Sequence, residues 1–198
     1  MDEEALIAKA QQGDVQAFNR LVLIYQDAVY NVAFRVAGEP DMAADATQDA
    51  FISAFHNLGS FRGGSFKAWL MRIVTNACYD EFRRRKRRPL SSLDEISEIN
   101  ESAPILSSDE IGPEAHQQQA ELVEAIERCL QTLPDDQRIA AVLCDVEGYD
   151  YNEIAEIMST SLGTVKSRIS RARSKLRDCL QSVRELLPWE YRLSSMEE

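Results

Sequence analysis

Residues 148–177, GYDYNEIAEIMSTSLGTVKSRISRARSKLR, constrain the fold more than any other stretch of the chain. Tyr151, Ile154, Ala155 and Met158 recur at i, i+3, i+4 and i+7, the spacing of a short helix with one buried face. Val165, Ile169, Ala172, Leu176 and Leu180 form a second such face. Ser159-Thr160-Ser161 between them is turn chemistry, and the Ser161 hydroxyl is placed to accept a hydrogen bond from a first-turn N–H and so cap the second helix. That helix leaves Lys166, Ser167, Arg168, Ser170, Arg171, Arg173, Lys175 and Arg177 facing outward. A basic helix face alone is most often a solvated face. Behind a helix-turn spacing it becomes a DNA reader, whose cations meet phosphates and whose short polar residues near the helix start reach base edges.

The formal net charge of −11 opposes DNA binding by the chain as a whole, but the charge is unevenly spread. Residues 1–88 carry 12 basic and 11 acidic side chains, residues 89–115 carry 7 acidic and no basic ones, and residues 116–198 carry 10 basic and 15 acidic ones. The cations concentrate in Arg83-Arg84-Arg85-Lys86-Arg87-Arg88 and in Lys166–Arg177. Local attraction with global repulsion implies weak DNA binding alone and stronger binding with a partner.

Cys78, Cys129, Cys144 and Cys179 are scattered, with no CxxC and no pair of histidines near them, since His56 and His116 are the only histidines. This argues against a metal site or a disulfide scaffold and for reduced, mostly buried thiols. No cofactor or small-molecule substrate is implied. The start, MDEEALIAKAQQGD, is acidic rather than signal-like, and no apolar run reaches membrane-spanning length. The expectation is a cytoplasmic protein without direct membrane insertion.

Helical periodicity dominates residues 3–87. Ala5, Leu6 and Ala10 open it, and Phe18, Leu21, Val22, Tyr25, Val29, Val32, Ala33 and Val36 mark a long amphipathic helix that Gly38-Glu39-Pro40-Asp41 breaks. A helix over about 42–58 is expected to turn Phe51, Phe55 and Leu58 to the core. The loop Gly59–Ser65 follows, and then a helix from Phe66 with Trp69, Leu70, Ile73 and Ala77 inside, ending in the basic block. Residues 89–115 are acidic, with Pro89, Pro104, Pro113 and several serines, a linker composition. Its Leu93, Ile96, Ile99, Ile105 and Leu106 suggest a segment that docks on something. A second helical region starts near His116, and Leu133-Pro134-Asp135-Asp136 suits the first turn of a helix. The fold class is therefore all-α: two small helical domains, 1–88 and 116–181, joined by a flexible acidic linker, 89–115, with a tail over 182–198. The second domain contains the helix-turn-helix.

Several motifs in this order resemble the bacterial extracytoplasmic-function sigma factors, group 4 of the housekeeping-type sigma-factor family. Asp45-Ala46-Thr47-Gln48-Asp49-Ala50-Phe51 resembles the family's D-x-x-Q-[DE]-x-F helix. Phe61 through Leu70, FRGGSFKAWL, resembles its loop and following helix, and Arg72-Ile73-Val74-Thr75-Asn76 continues the match. Leu133-Pro134 through Arg138, Asp145-Val146-Glu147-Gly148 and Gly163-Thr164-Val165-Lys166-Ser167-Arg168 resemble the second domain. The likeness covers about positions 5–180. Two positions depart from the pattern: Ser159 stands where the family often has glycine in a left-handed turn, and Asp80 puts an anion on the DNA side of its helix.

The resemblance implies a role for each part. Asp45, Gln48 and Asp49, on a helix face away from Phe51 and Phe55, would dock on core RNA polymerase, where charge sets orientation and apolar neighbours supply affinity. Phe61, Arg62, Gly63, Gly64, Ser65 and Lys67 would hold an unstacked base of the promoter −10 element, because glycines permit close backbone approach and a base out of its stack must be held. Asn76 would read a base edge, and Arg83 and Arg84 would meet duplex phosphates, contacts that position without specifying sequence. Ser161, Thr164, Lys166, Ser167, Arg168, Ser170, Arg171 and Arg173 would contact the −35 element. Lys166, Ser167 and Arg171 would face bases there, and Arg168 and Arg173 phosphates. An anti-sigma factor is a further implied partner. Such a chain directs transcription initiation and is no enzyme. Two other readings compete on the residues alone. A stand-alone helix-turn-helix regulator needs a sensor pocket or phosphoacceptor in residues 1–88, and a nuclease needs a metal-binding carboxylate cluster or paired histidines. The sequence offers neither.

Overall fold

A computed structural model describes residues 3–87 and 113–187. The stretches 88–112 and 188–198, which include most of the expected linker and tail, lie outside the described residues. Every regular element among the described residues is helical. The first half holds α1 (Glu3–Gln11), α2 (Val15–Ala37), α3 (Pro40–Asn57) and α4 (Phe66–Arg87). The second holds α5 (Pro113–Gln131), α6 (Asp135–Ala141), α7 (Tyr151–Ile157) and α8 (Leu162–Gln181).

Local chemistry sets the boundaries. Asp14 caps α2, its carboxylate accepting from the N–H groups of Gln16 and Ala17 at 2.9 and 3.1 Å. Gly38, at φ +78°, ends α2 in the left-handed conformation while its N–H donates to Phe34 O, and Pro40 opens α3 at its first turn. The core face of α3 is Met42, Ala43, Ala46, Ala50 and Ala54. These small side chains let α3 lie close along α2 and α4, and the larger Phe51 is only half-buried. Phe55 corrects the sequence expectation. It is 39% exposed and meets Phe18 edge-on, with ring centroids 5.0 Å apart, because the alanines rather than the phenylalanines fill the contact. On α4, Leu70, Met71, Val74 and Cys78 are fully enclosed, and Trp69, Ile73 and Ala77 pack at the margin.

In the second half, α6 continues into a π-helical turn, Val142–Val146, which the periodicity does not reveal. Asp150 and Glu153 form a reciprocal capping box at the start of α7. Ile154 and Ile157 are the residues α7 buries most deeply. Ser159 occupies the turn at φ +49°, the one non-glycine residue with positive φ among the described residues.

The two halves pack directly on each other. Gln131 donates to Arg35 O at 3.0 Å, Lys67 pairs with Glu147 at 3.0 Å and lies over the Tyr149 ring, and the Arg138 guanidinium lies 5.2 Å from the Phe82 ring centre. Arg138 is itself buried. Burial pulls its pKa down, and the Asp135 carboxylate at 3.0 Å opposes that shift.

The thiols are a second correction. Cys129 on α5 and Cys179 on α8 form a disulfide, with Cα atoms 5.8 Å apart. The packing of α5 along α8 brings together two positions 50 residues apart, which spacing in the chain could not show. Cys78 and Cys144 are free. Burial pushes the Cys78 thiol up to about 12.

Candidate polymerase and DNA interfaces

On α3, Asp45, Gln48 and Asp49 are exposed, as their spacing requires. Ile52, 48% exposed, and Phe55 continue the same stripe at the i+3, i+4 and i+7 steps. The acidic face is thus joined to an apolar one, and Ile52, which the sequence reading did not single out, and Phe55, which it placed in the core, belong to the candidate docking surface.

After α3 the chain makes a short 3-10 turn, Leu58–Ser60, and enters the loop. Phe61 is 9% exposed, its ring against Phe66 and Trp69 at centroid distances of 5.3 and 5.5 Å. It forms the floor of the loop rather than a free stacking surface, which differs from the base-contacting role expected of it. Gly63 and Gly64 sit at φ +103° and +87° with open space where a Cβ would stand, so backbone conformation alone demands glycine here. The Ser65 hydroxyl accepts from Ala68 N–H at 3.1 Å and caps α4. Arg62, Gly63 and Gly64 remain exposed above this floor. A cavity of about 350 Å³ opens beside them, with Trp69 and Arg72 on one wall and Glu153, Glu156 and Ile157 of α7 on the other. Arg72 is an exposed cation that the sequence reading placed only within a motif. Lys67 points away, to Glu147 and Tyr149.

Asn76 is exposed on α4 and shares a groove of about 310 Å³ with Asp49, Asp80 and Arg84. The structure therefore places a polymerase-docking candidate beside a base-reading one. Three arginines of the basic block are already paired: Arg83 with Asp80 at 3.1 Å, Arg84 with Glu81, and Arg85 through two bonds to Glu39 at 2.7 and 2.8 Å. The Arg85 hydrogen bonds hold the Glu39 carboxyl below its ordinary pKa. Asp80 thus neutralises a neighbour rather than standing alone.

Ser161 caps α8 as expected, its hydroxyl accepting from Thr164 N–H at 3.1 Å and lying 2.8 Å from the Thr164 hydroxyl. Ser167 donates to Thr164 O. Lys166, Ser170 and Arg171 are exposed along the outer face. Arg168 and Arg173 are not free for phosphates as they stand. At 100° per residue they flank the buried Val165–Ile169–Ala172 stripe on opposite sides, and each reaches a carboxylate of its own domain. Arg168 meets Asp136 at 2.9 Å, and Arg173 meets Asp145 at 2.5 and 3.2 Å. The hydrogen bonds to Asp145 raise the Arg173 pKa further.

Residues 21–88 match the family described as sigma-70 region 2, and residues 123–176 match sigma-70, region 4. The ECF RNA polymerase sigma-E factor of Escherichia coli is 37% identical over 91% of this chain and 95% of its own length. This chain belongs to the extracytoplasmic-function sigma factors. An ECF sigma factor of Mycolicibacterium smegmatis, SigE, is 36% identical over 87% of this chain, which spans 65% of that relative's length. Among solved structures, the sigma factor RpoE of Bartonella quintana, crystallised with the anti-sigma factor NepR, is 30% identical. It covers 84% of this chain and 98% of its own, with a TM-score of 0.64. The chain is thus an alternative sigma factor, a subunit that directs transcription initiation, and its relatives are sigma factors rather than enzymes. Among the described residues no helix of this sigma factor is long and apolar enough to cross a membrane.

Proposed function

We propose that this sigma factor docks on core RNA polymerase through Asp45, Gln48, Asp49, Ile52 and Phe55, and holds a −10 base at Arg62–Gly64. Arg72 lines the cavity beside that loop, Asn76 reads a base edge, and Lys166, Ser170 and Arg171 read the −35 element. The observation that carries this assignment is the recognition helix. A serine-capped α8 leaves those three side chains exposed on its outer face while Val165, Ile169 and Ala172 fix the helix from behind. The chain works in the cytoplasm, has no catalytic activity of its own and needs no cofactor. Leu23, 67% exposed, and Ile24 on α2 add apolar surface to the first half that suits a helical protein partner. An anti-sigma factor covering faces of both halves is that partner, a reading supported by the kind of complex in which the Bartonella relative was solved.

Use of the loop requires the halves to part, because Glu153 and Glu156 face the same cavity and would repel a DNA phosphate. The test is reconstituted transcription with core polymerase on templates randomised at −10 and −35. Asp49→Lys with Gln48→Ala should abolish co-purification with core polymerase. Undiminished polymerase binding by that folded double variant would overturn the docking assignment.

A further inference from the structure

The loop that carries Arg62–Gly64 has few bonds of its own. Its start is fixed from a distant helix. The Gln11 side-chain amide, at the end of α1, donates to Leu58 O at 3.1 Å and to Phe61 O at 3.0 Å, 47 and 50 residues away. These two carbonyls bracket the 3-10 turn from which the loop departs. Leu58 O also accepts from Phe61 N–H at 3.1 Å, so the Phe61 backbone is held on both sides, at its N–H and at its carbonyl. With that peptide fixed and the Phe61 ring enclosed by Phe66 and Trp69, the direction in which Arg62, Gly63 and Gly64 leave the floor is set. The far end of α1 is anchored too. Tyr25 donates to Glu3 while its ring packs on Phe66, and Leu6, Ile7 and Ala10 are buried. The helix is a strut between the aromatic floor and the turn.

We infer that Gln11 is a positioning residue for −10 recognition: it orients the base-holding loop through Leu58 and Phe61 without touching DNA. The inference rests on the reading of that loop given above. A primary amide suits the task, because one NH₂ group can serve two carbonyls. A glutamate of the same shape carries only acceptors, so it would repel both oxygens.

The experiment uses the full chain with core polymerase and compares wild type, Gln11→Glu, Gln11→Lys, and Gly64→Val as a loop control. The readouts are co-elution with core polymerase, permanganate reactivity of −10 thymines on duplex promoter, and base preference on single-stranded −10 oligonucleotides. Gln11→Glu should bind core polymerase as wild type does. It should open about tenfold fewer promoters, in line with two lost hydrogen bonds, and should discriminate less among bases at the held position. Gln11→Lys keeps a donor of similar reach and should recover most of the opening. Normal opening and discrimination in Gln11→Glu, with Gly64→Val defective, would overturn the positioning role and leave the loop reading intact. Normal behaviour in both would overturn the loop reading itself. An equal loss of core binding and opening in Gln11→Glu would show a general structural role and also overturn the proposal.

Discussion

The two candidate DNA-facing regions are built on opposite plans. At the loop, shape is set by glycine backbone and an aromatic floor, and the exposed groups above it are sparse. On α8, shape is set by an ordinary capped helix, and the surface is crowded with cations, two of which already hold carboxylates. A site of the first kind is sensitive to backbone conformation. At a site of the second kind, a paired arginine exchanges one anion for another when it meets DNA, so its contribution to affinity is smaller than its charge suggests.

The largest effect expected lies in the scaffold behind α8. The disulfide closes a loop that encloses α6, the π-helical turn, α7 and most of α8. By chain entropy, a loop of this length contributes up to about 4 kcal/mol. Reduction, or Cys179→Ser, should therefore lower the urea midpoint. Hydrogen exchange should show lost protection in α5–α8 with α1–α4 unchanged, and equal loss in both halves would show that the disulfide does not brace the second half separately.

Next comes the outer face of α8. Lys166→Ala should cost roughly 1–3 kcal/mol in promoter binding and relax base preference near one position of the −35 element. Arg173→Ala should cost less, about 0–1 kcal/mol, and should act on all sequences alike, because the side chain is half-exposed and paired with Asp145. Competition binding on a randomised −35 library separates these outcomes. A sharper preference change for Arg173→Ala than for Lys166→Ala would reverse the two roles.

The smallest effect concerns the basic block. Glu39 is held below its ordinary pKa by Arg85, so its stabilising contribution is present above the unfolded-state value and is lost as pH falls through the lower folded value. Replacing Arg85 by Ala should move the Glu39 titration upward in a carboxyl NMR experiment. The change in stability should be small, since both groups are well exposed. An unmoved Glu39 titration would refute the pairing.

What was legible in the sequence was local. Gly38 and Pro40 end one helix and start the next, Ser161 caps its helix, and the 148–177 periodicity marks both helices of the helix-turn-helix, since each signal acts within a few residues. What was illegible depended on neighbours distant in the chain. Phe55 has the spacing of a core residue on α3, yet Ala46, Ala50 and Ala54 took the contact because α2 lies close against them. The carboxylate partners of Arg168 and Arg173 lie 32 and 28 residues away, and the partner of Cys129 lies 50 away. The candidate docking stripe gained Ile52 and Phe55 for the same reason: a position's exposure is decided by what packs beside it.

Lys67 leads to a final consequence. Its ammonium holds Glu147 across the junction of the halves and cannot hold a DNA phosphate at the same moment. If Lys67 contacts the −10 element, as the family motif implies, closure and promoter engagement are competing ligations of one group, linked through a single equilibrium. The apparent dissociation constant for DNA is the intrinsic constant divided by the open fraction, so each tenfold bias toward closure weakens apparent binding about tenfold. Any protein that keeps the halves apart removes that bias, and its binding and that of promoter DNA should each strengthen the other by the same factor.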